Sequence, residues 1–446
     1  MRRPYIHLTP EKNWMNDPNG FTYFNGEYHL FYQCFPYECN WGTMHWGHAT
    51  SDDMINWKHH GLALYPTKQY DKNGCFSGTA LIENGKMNLY YTAISYDKSL
   101  EENIHAPYDN YSFEASQVKI VSNDGYNFNN YDDKKMILKP IINEKLGHRT
   151  HTRDPKVWKY NDKYIMIIGS KFKEEGSEKF TGEVLFYESE DGDNWKYKNR
   201  FYDDSIGDMW ECPDLFNVNG TDILVLSPEQ ITKDNINYTN NSVYATVNFD
   251  EENFNMSFTS EVQYLDYGLD LYAPQSNIDK NGNRVIFGWV RMPQKFEGEN
   301  WIGMMSLPRV VNVNNGIVSF DVTEEVKRLF NKEINIKDFN NKDSAFRLDA
   351  ILNKNSKVSI GGYEISIEDD AIKVDRSKVF IDVTDIGMIF KTPKLNGNYN
   401  IIAYIDNGVI EIFIDNGKYV ITNVVYNMTN NIYYNEVKNI KIYKME

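Results

Sequence analysis

Three acids occupy places where chemistry could be done. Asp17 lies in Trp14-Met15-Asn16-Asp17-Pro18-Asn19-Gly20, Asp154 in Arg153-Asp154-Pro155, and Glu211 in Trp210-Glu211-Cys212-Pro213-Asp214. Each stands by a proline that opens one layout: an apolar pair, a tight turn, then an alternating strand. The turns fall at Asn25-Gly26, Asn161-Asp162 and Asn219-Gly220, and Asn-Gly between alternating apolar runs is the strongest short-range hairpin signal. A fourth copy, Tyr272-Ala273-Pro274 with Asn281-Gly282, and a looser fifth, Ser77-Gly78-Thr79 with Asn84-Gly85, carry no acid there. In one copy, an acid beside proline is ordinary turn chemistry. Three in matching places point to a shared site.

Two carboxyl groups flanking a glycosidic bond can hydrolyse it, one protonating the leaving oxygen and one attacking or activating water. A third, fixed anion stabilises an oxocarbenium-like centre more in the transition state than in the ground state. Local neighbours divide the work. Asn16 and Asn19 offer amides to keep Asp17 ionised, as a nucleophile requires. Arg153 holds the adjacent Asp154 anionic, which suits a fixed charge. Glu211, between Trp210 and Cys212, has the most apolar setting, where desolvation raises a carboxyl toward the range of a general acid.

The elements that must position these acids follow from the repeat. The anchors Pro18, Thr79, Pro155, Pro213 and Pro274 recur every roughly 60 to 75 residues. Interleaved with them are four D-x-x-N-aromatic turns, at Asp53, Asp124, Asp191 and Asp250, three with serine two residues earlier (Ser51, Ser122, Ser189). Five such units of short antiparallel strands predict an all-β, five-bladed propeller over 1–320, with insertions at 97–117 and 139–152. Equivalent positions on the innermost strands ring one axis, so the three acids should meet at one mouth of it. Past Ser306-Leu307-Pro308-Arg309 the texture changes. A linker over 321–334 holds a short helix from Val322 to Phe330 capped by Thr323. A β-sandwich over 335–446 follows, with strands Phe346 to Leu352, Lys357 to Ile367, Ile401 to Ile405, Val409 to Ile414 and Tyr419 to Asn423.

Composition sets the outer limits. The 446 residues are 41% hydrophobic and 25% charged, enough for two soluble domains. Aromatics make up 15%, which suits strands and sugar-stacking surfaces alike. A formal charge of −16 argues against nucleic acid, which needs a basic surface. No stretch has the length or apolarity of a membrane span, and no signal peptide is visible. Cys34, Cys39, Cys75 and Cys212 lack CxxC spacing and do not pair with the nine histidines in a zinc pattern, so free thiols in a cytoplasmic protein are expected. No metal or organic cofactor is expected.

The chain resembles the invertase-like β-fructosidases of glycoside hydrolase family thirty-two along nearly its whole length. Besides the three acid segments, the resemblance rests on Phe31-Tyr32-Gln33, Asn40-Trp41-Gly42, His45-Trp46-Gly47-His48, Phe76-Ser77-Gly78, Tyr272-Ala273-Pro274-Gln275 and Ser306-Leu307-Pro308-Arg309. It implies a five-bladed propeller with a β-sandwich, and a retaining β-fructofuranosidase. Asp17 would be the nucleophile, Glu211 the acid/base and Asp154 the transition-state stabiliser. Asn16, Gln33, Trp41, Phe76, Ser77, Arg153 and Tyr272 match fructose-pocket positions; Trp289 and Trp301 are either pocket or core indoles. Cys212 is a packing neighbour of the acid. Two alternatives stay open: an inverting furanosidase of the arabinan type, and a carbohydrate-binding propeller without activity. The partner is a small sugar, and sucrose, sucrose 6-phosphate and short fructans all remain candidates. Arg149, Lys171, Arg291 and Lys295 are available for a phosphate. Oligomeric state is not legible.

Overall fold

The structure, a computed structural model, describes residues 3–231, 240–339, 345–383, 386–397 and 399–445. Among them, five antiparallel sheets are followed by two more that face each other. The first five are propeller blades. Their inner strands are Asn13–Phe24, Gly74–Glu83, Arg153–Tyr160, Met209–Val218 and Leu271–Ile278. Each inner strand touches the next, and the first touches the fifth, so the five close a ring. Closure is reinforced where Trp301–Ile302, from the fifth unit, pairs in parallel with Asn13 and Trp14.

Turn chemistry accounts for the hairpins. Asn25 and Gly26 have φ of 51° and 94°, and Asn84-Gly85 and Asn219-Gly220 repeat the pair of positive values. That backbone is the type I′ turn whose twist matches two antiparallel strands. The fifth hairpin differs from expectation. The Asp279 carboxylate accepts from the amides of Asn281 and Asn283, and only Gly282 of the expected pair is left-handed, giving a longer loop. The D-x-x-N turns join the third and fourth strands of four blades. In each, the Asp carboxylate accepts the amide three residues on and the Asn side chain, as at Asp53 and Asn56, and at Asp191 and Asn194.

The feature that matters for function is a bulge. In all five inner strands the register slips by one extra residue: between Met15 and Pro18, Cys75 and Gly78, Arg153 and Lys156, Glu211 and Asp214, and Tyr272 and Gln275. Bulges redirect side chains and twist the strand, and they recur beside active sites. Here five of them point the same level of five strands at one axis. The second unit is anchored by Gly78, not Thr79 as the sequence suggested. Its Cα passes so close to the Tyr90 carbonyl that a Cβ would lie 1.9 Å from that oxygen, which no other residue could tolerate.

Beyond the ring, Glu324–Leu329 forms the short helix. Thr323 occupies its N-cap in extended conformation, but its hydroxyl makes no capping bond and is buried without a partner among the described residues. A six-stranded and a five-stranded sheet then pack around Leu348, Val358, Ile365, Val374, Ala403 and Ile412. The expected single strand from Lys357 to Ile367 is a hairpin, Lys357–Ile360 and Tyr363–Glu368, because Gly361 and Gly362 both take positive φ.

Buried ion pairs fasten the sandwich to the ring. Arg309 bonds Glu411 at 2.7 Å and Asp266 at 3.0 Å, and Arg376 pairs with Asp270. His7, on the segment that leads into the first inner strand, sits between Asp406 at 3.0 Å and Glu411 at 3.1 Å. Among the described residues, no helix is long and apolar enough to cross a membrane.

Candidate active site

At one mouth of the ring is a cavity of about 410 Å³. Asp17, Asp154 and Glu211 all line it, although they come from the first, third and fourth blades. So do Asn16, Gln33, Trp41, Phe76, Ser77, Arg153, Tyr272 and Trp289. Trp301 does not. It is fully buried, its indole N–H bonded to Glu299 at 2.8 Å, and belongs to the core.

Asp17 is held by two donors. The Ser77 hydroxyl donates to Oδ2 at 2.5 Å, and the Asn16 amide to Oδ1 at 3.0 Å. Trp14 fixes that amide through its own N–H to Asn16 Oδ1 at 2.7 Å, and Gln33 donates to Ser77 at 3.1 Å. The expected second amide, Asn19, does not reach Asp17. Its oxygen accepts from the Gly78 N–H at 3.2 Å, tying the first blade to the second. Burial raises the Asp17 carboxyl above its ordinary value, and the Glu211 charge adds to that, while the Ser77 and Asn16 bonds oppose it.

The expected partnership of Arg153 with Asp154 is replaced by another. The bulge turns these adjacent side chains apart, with Asp154 at φ 67°. The Arg153 guanidinium donates to Glu211 Oε1 at 2.7 and 3.1 Å, to Glu229 at 2.7 Å, and to His151 Nδ1 at 3.0 Å. Asp154 instead accepts the Cys212 N–H at 3.0 Å. Burial lifts Asp154 to about 7, against the opposing pull of the Arg153 charge, with the charges of Glu211 and Asp17 adding to the rise. Glu229 is likewise raised to about 7 by burial and by Glu211. Two carboxyl groups share the Arg153 guanidinium and two more lie buried close by, so each charge raises its neighbours and their ionisations are linked.

Glu211 is thus not in the apolar setting that its neighbours in sequence imply. Its side chain is 20% exposed, one oxygen bound by Arg153 and the other by the Tyr272 hydroxyl at 2.5 Å. That hydroxyl has a second acceptor, the Ser227 carbonyl at 3.0 Å. It can therefore donate to an ionised Glu211, or turn to Ser227 and accept when Glu211 carries a proton. Cys212 lies 3.8 Å from Asp17 Oδ2 and 3.6 Å from Asp154 Oδ2. Burial and the facing carboxylates push its thiol well above its ordinary value, so it stays protonated.

Sequence reasoning missed Met44, Tyr96, Pro107, Asn110, Phe113 and His151 on the cavity wall, and Glu229 behind it. Four of these, Pro107, Asn110, Phe113 and His151, sit in the two segments that the repeat marked as insertions. Glu229 carried no signal.

A ring of blades that brings paired carboxyl groups to one sugar-sized cavity, joined to a β-sandwich, defines a glycoside hydrolase. Models of the glycosyl hydrolases family 32 N-terminal domain and C-terminal region match residues 7–320 and 318–444, and the chain belongs to that family. It is 31% identical over 438 residues to a Vibrio alginolyticus sucrose-6-phosphate hydrolase, covering 94% of this chain and 85% of that one. An Escherichia coli sucrose-6-phosphate hydrolase is 35% identical over 319 residues, 70% of this chain and just under two thirds, 63%, of the other. Among solved structures, a sucrose-6-phosphate hydrolase from Lactobacillus gasseri superposes with a TM-score of 0.84 at 25% identity, over 100% of this chain and 93% of that one. A Bombyx mori GH32 beta-fructofuranosidase gives 0.81 at 26%, over 100% and 94%.

Proposed function

We propose that the protein is a retaining β-fructofuranosidase that releases terminal β-D-fructofuranosyl units from sucrose, sucrose 6-phosphate or short β-fructans. Asp17 attacks the anomeric carbon while Glu211 protonates the departing oxygen. The fructosyl ester is then opened by water that Glu211 deprotonates. Asp154, anionic in the working state, faces the developing positive charge and the sugar hydroxyls. The observation that carries the reading is the convergence of these three carboxyl groups from separate blades on one cavity.

Other features of the site agree. Ser77 and Asn16 stabilise the charge Asp17 needs as a nucleophile, opposing the larger effect of its burial. Arg153 and Tyr272 hold the two Glu211 oxygens, and the two acceptors open to Tyr272 serve the acid and base states in turn. Gln33 Oε1 and Trp289 Nε1 are buried without partners among the described residues. Buried polar atoms are seldom left so, and an acceptor and a donor on a cavity wall suit sugar hydroxyls. Family membership favours this reading over the arabinan-type and non-catalytic alternatives. The working division is a catalytic propeller over 1–320, a linker over 321–334 and a supporting sandwich over 335–446. A cytoplasmic setting agrees with four cysteines all free.

Proton NMR during sucrose cleavage tests the reaction class. Retention requires β-fructofuranose as the first sugar formed, before mutarotation. An α-anomer would assign an inverting mechanism, and binding of sucrose without fructose release would assign a lectin.

A further inference from the structure

The ring has a second mouth, and its chemistry is unlike the first. All five inner strands run from the bulges at the active-site cavity toward the other end of the axis. Tyr23, Ile82, Trp158, Phe216 and Asn277 come two to five residues after those bulges, which at about 3.3 Å per residue sets them farther down the axis. Together they line a second cavity, of about 480 Å³. A neck of about 10 Å³ separates the two cavities. Asp154 lines both the active-site cavity and the neck, and Lys156 both the neck and the far cavity. Such a neck has room for one water and not for a sugar, so the far cavity lies off the path of the substrate.

The far cavity has a cation on its wall that no acid claims. Arg284 opens the second strand of the fifth blade, Arg284–Val290, and its side chain lines the cavity. Its Nε is buried and has no hydrogen-bond partner among the described residues, none of which brings a carboxylate within ion-pair distance of it. The guanidinium rests over the Phe216 ring at 4.9 Å. Burial pulls it below its ordinary value, with the Asp214 charge opposing. Asp214 is already committed: it lies 3.3 Å from the Lys156 ammonium and accepts the Ser276 N–H at 2.6 Å. Burial lowers Lys156 too, with Asp214 opposing and the Arg284 charge adding to the fall. Two cations therefore share one acid. A buried charge without full compensation is costly unless a ligand supplies the counter-charge.

The other charged groups on the wall do not supply it. Lys159 is paired with Glu83 at 2.7 Å, and the Asp222 carboxylate accepts the Asn217 side-chain amide at 2.7 Å. Glu251 also lines the cavity, and neither it nor Asp222 is within ion-pair distance of Arg284. The remaining wall is rich in rings. Tyr23, Trp158, Phe216 and Phe249 all line it, with Trp158 and Phe249 meeting edge to face at 6.4 Å. A guanidinium among aromatic faces suits a small ring that carries one anionic group. The ring packs on the walls, and two oxygens of the head group accept parallel N–H bonds from the planar fork.

The geometry points to a second ligand site at the far mouth of the propeller, where Arg284 binds the carboxylate or phosphate of a small ring-bearing organic anion. The site is separate from the catalytic cavity. Its signature is therefore binding, and it does not depend on which glycoside the enzyme cleaves.

Titration calorimetry with benzoate and with phenyl phosphate tests it, and benzyl alcohol serves as the neutral ring of similar size. The wild type should bind at least one of the two anions at a single site at millimolar concentration or below, and the tighter one identifies the head group. Benzyl alcohol should bind about 10- to 100-fold more weakly, the worth of a charge-assisted contact. Arg284→Leu should lose anion binding by the same factor, and Arg284→Lys should keep part of it. The comparison with benzyl alcohol needs no variant, so it decides the matter even where Arg284→Leu fails to fold. In Asp17→Ala, saturating sucrose should leave anion binding unchanged. No anion binding at millimolar concentration, equal binding of benzyl alcohol, or binding unaffected by Arg284→Leu would overturn the assignment. Displacement of the anion by sucrose would overturn it as well, by moving the anion to the active-site cavity.

Discussion

Replacing His7 tests how the amino-terminal segment holds the catalytic strand. Its two ring nitrogens face Asp406 and Glu411, all three side chains fully buried. Both nitrogens must carry protons to bond two carboxylates, so the ring is an imidazolium. Burial alone would lower its pKa, but the two acids outweigh it and raise it from 6.5 to about 9. At 1.36 kcal/mol per unit, the shift corresponds to about 3 kcal/mol of stability. Because the folded value lies above the unfolded one, this contribution is complete below pH 6.5 and is lost as pH rises through about 9. Glu411, lowered from 4.5 to about 2, reports partly the same bond from its other end and partly its pairing with Arg309, so the two amounts are not added. Urea unfolding of wild type and His7→Leu at pH 6, 8 and 10 measures the difference. The wild type should lose about 3 kcal/mol relative to the variant between pH 6 and 10. Parallel pH curves would refute the argument, since they would mean that the ring is neutral in the fold.

Four further outcomes follow. Asp17→Ala and Glu211→Ala should fold with normal circular dichroism and lose nearly all turnover; a tenth of the wild-type rate retained by Asp17→Ala would remove it from the nucleophile role. Ser77→Ala deletes the 2.5 Å donor to Asp17, and kcat should fall by about 10- to 100-fold while the melting temperature changes little. In Arg153→Leu the Glu211 and Glu229 carboxyl groups lose their shared cation, and kcat should fall more than KM rises; an effect on KM alone would place Arg153 in binding only. His29, stacked on His48 and lowered by burial from 6.5 to about 4, contributes stability fully above pH 6.5 and progressively less as pH falls toward 4, so His29→Phe should flatten the acid side of the stability curve.

The convergence of the acids was legible because it is a property of repetition. Proline, Asn-Gly and D-x-x-N signals recur in phase, and rotational symmetry turns phase in sequence into proximity in space. What was not legible is the direction of each side chain. Arg153 and Asp154 are neighbours in sequence, but the bulge sends the guanidinium to Glu211 and Glu229, and the carboxylate to the backbone of the fourth blade. The same effect gives Asn19 to Gly78 and leaves Asp17 to Ser77. Neighbour-based reasoning about charge therefore failed for Glu211 and for the Arg153–Asp154 pair, and held for Asp17 at Asn16 but not at Asn19, whereas position-based reasoning brought the three acids together. His148, His151 and Asn110 lie on insertions outside the repeat, so no periodic argument could place them. The split of Lys357 to Ile367 into a hairpin was signalled by Gly361-Gly362, a pair that the alternating pattern around it obscured.

The most direct test of the whole account is to trap the sugar. Glu211→Ala, incubated with β-fructofuranosyl fluoride and quenched in acid, should accumulate a fructosyl ester, because the fluoride departs without an acid and the missing base leaves the ester unopened. Peptide mass spectrometry should find the adduct on the segment around Asp17. An adduct on Asp154 or any other residue would contradict the proposed roles, and rapid turnover with an inverted product would contradict the mechanism itself.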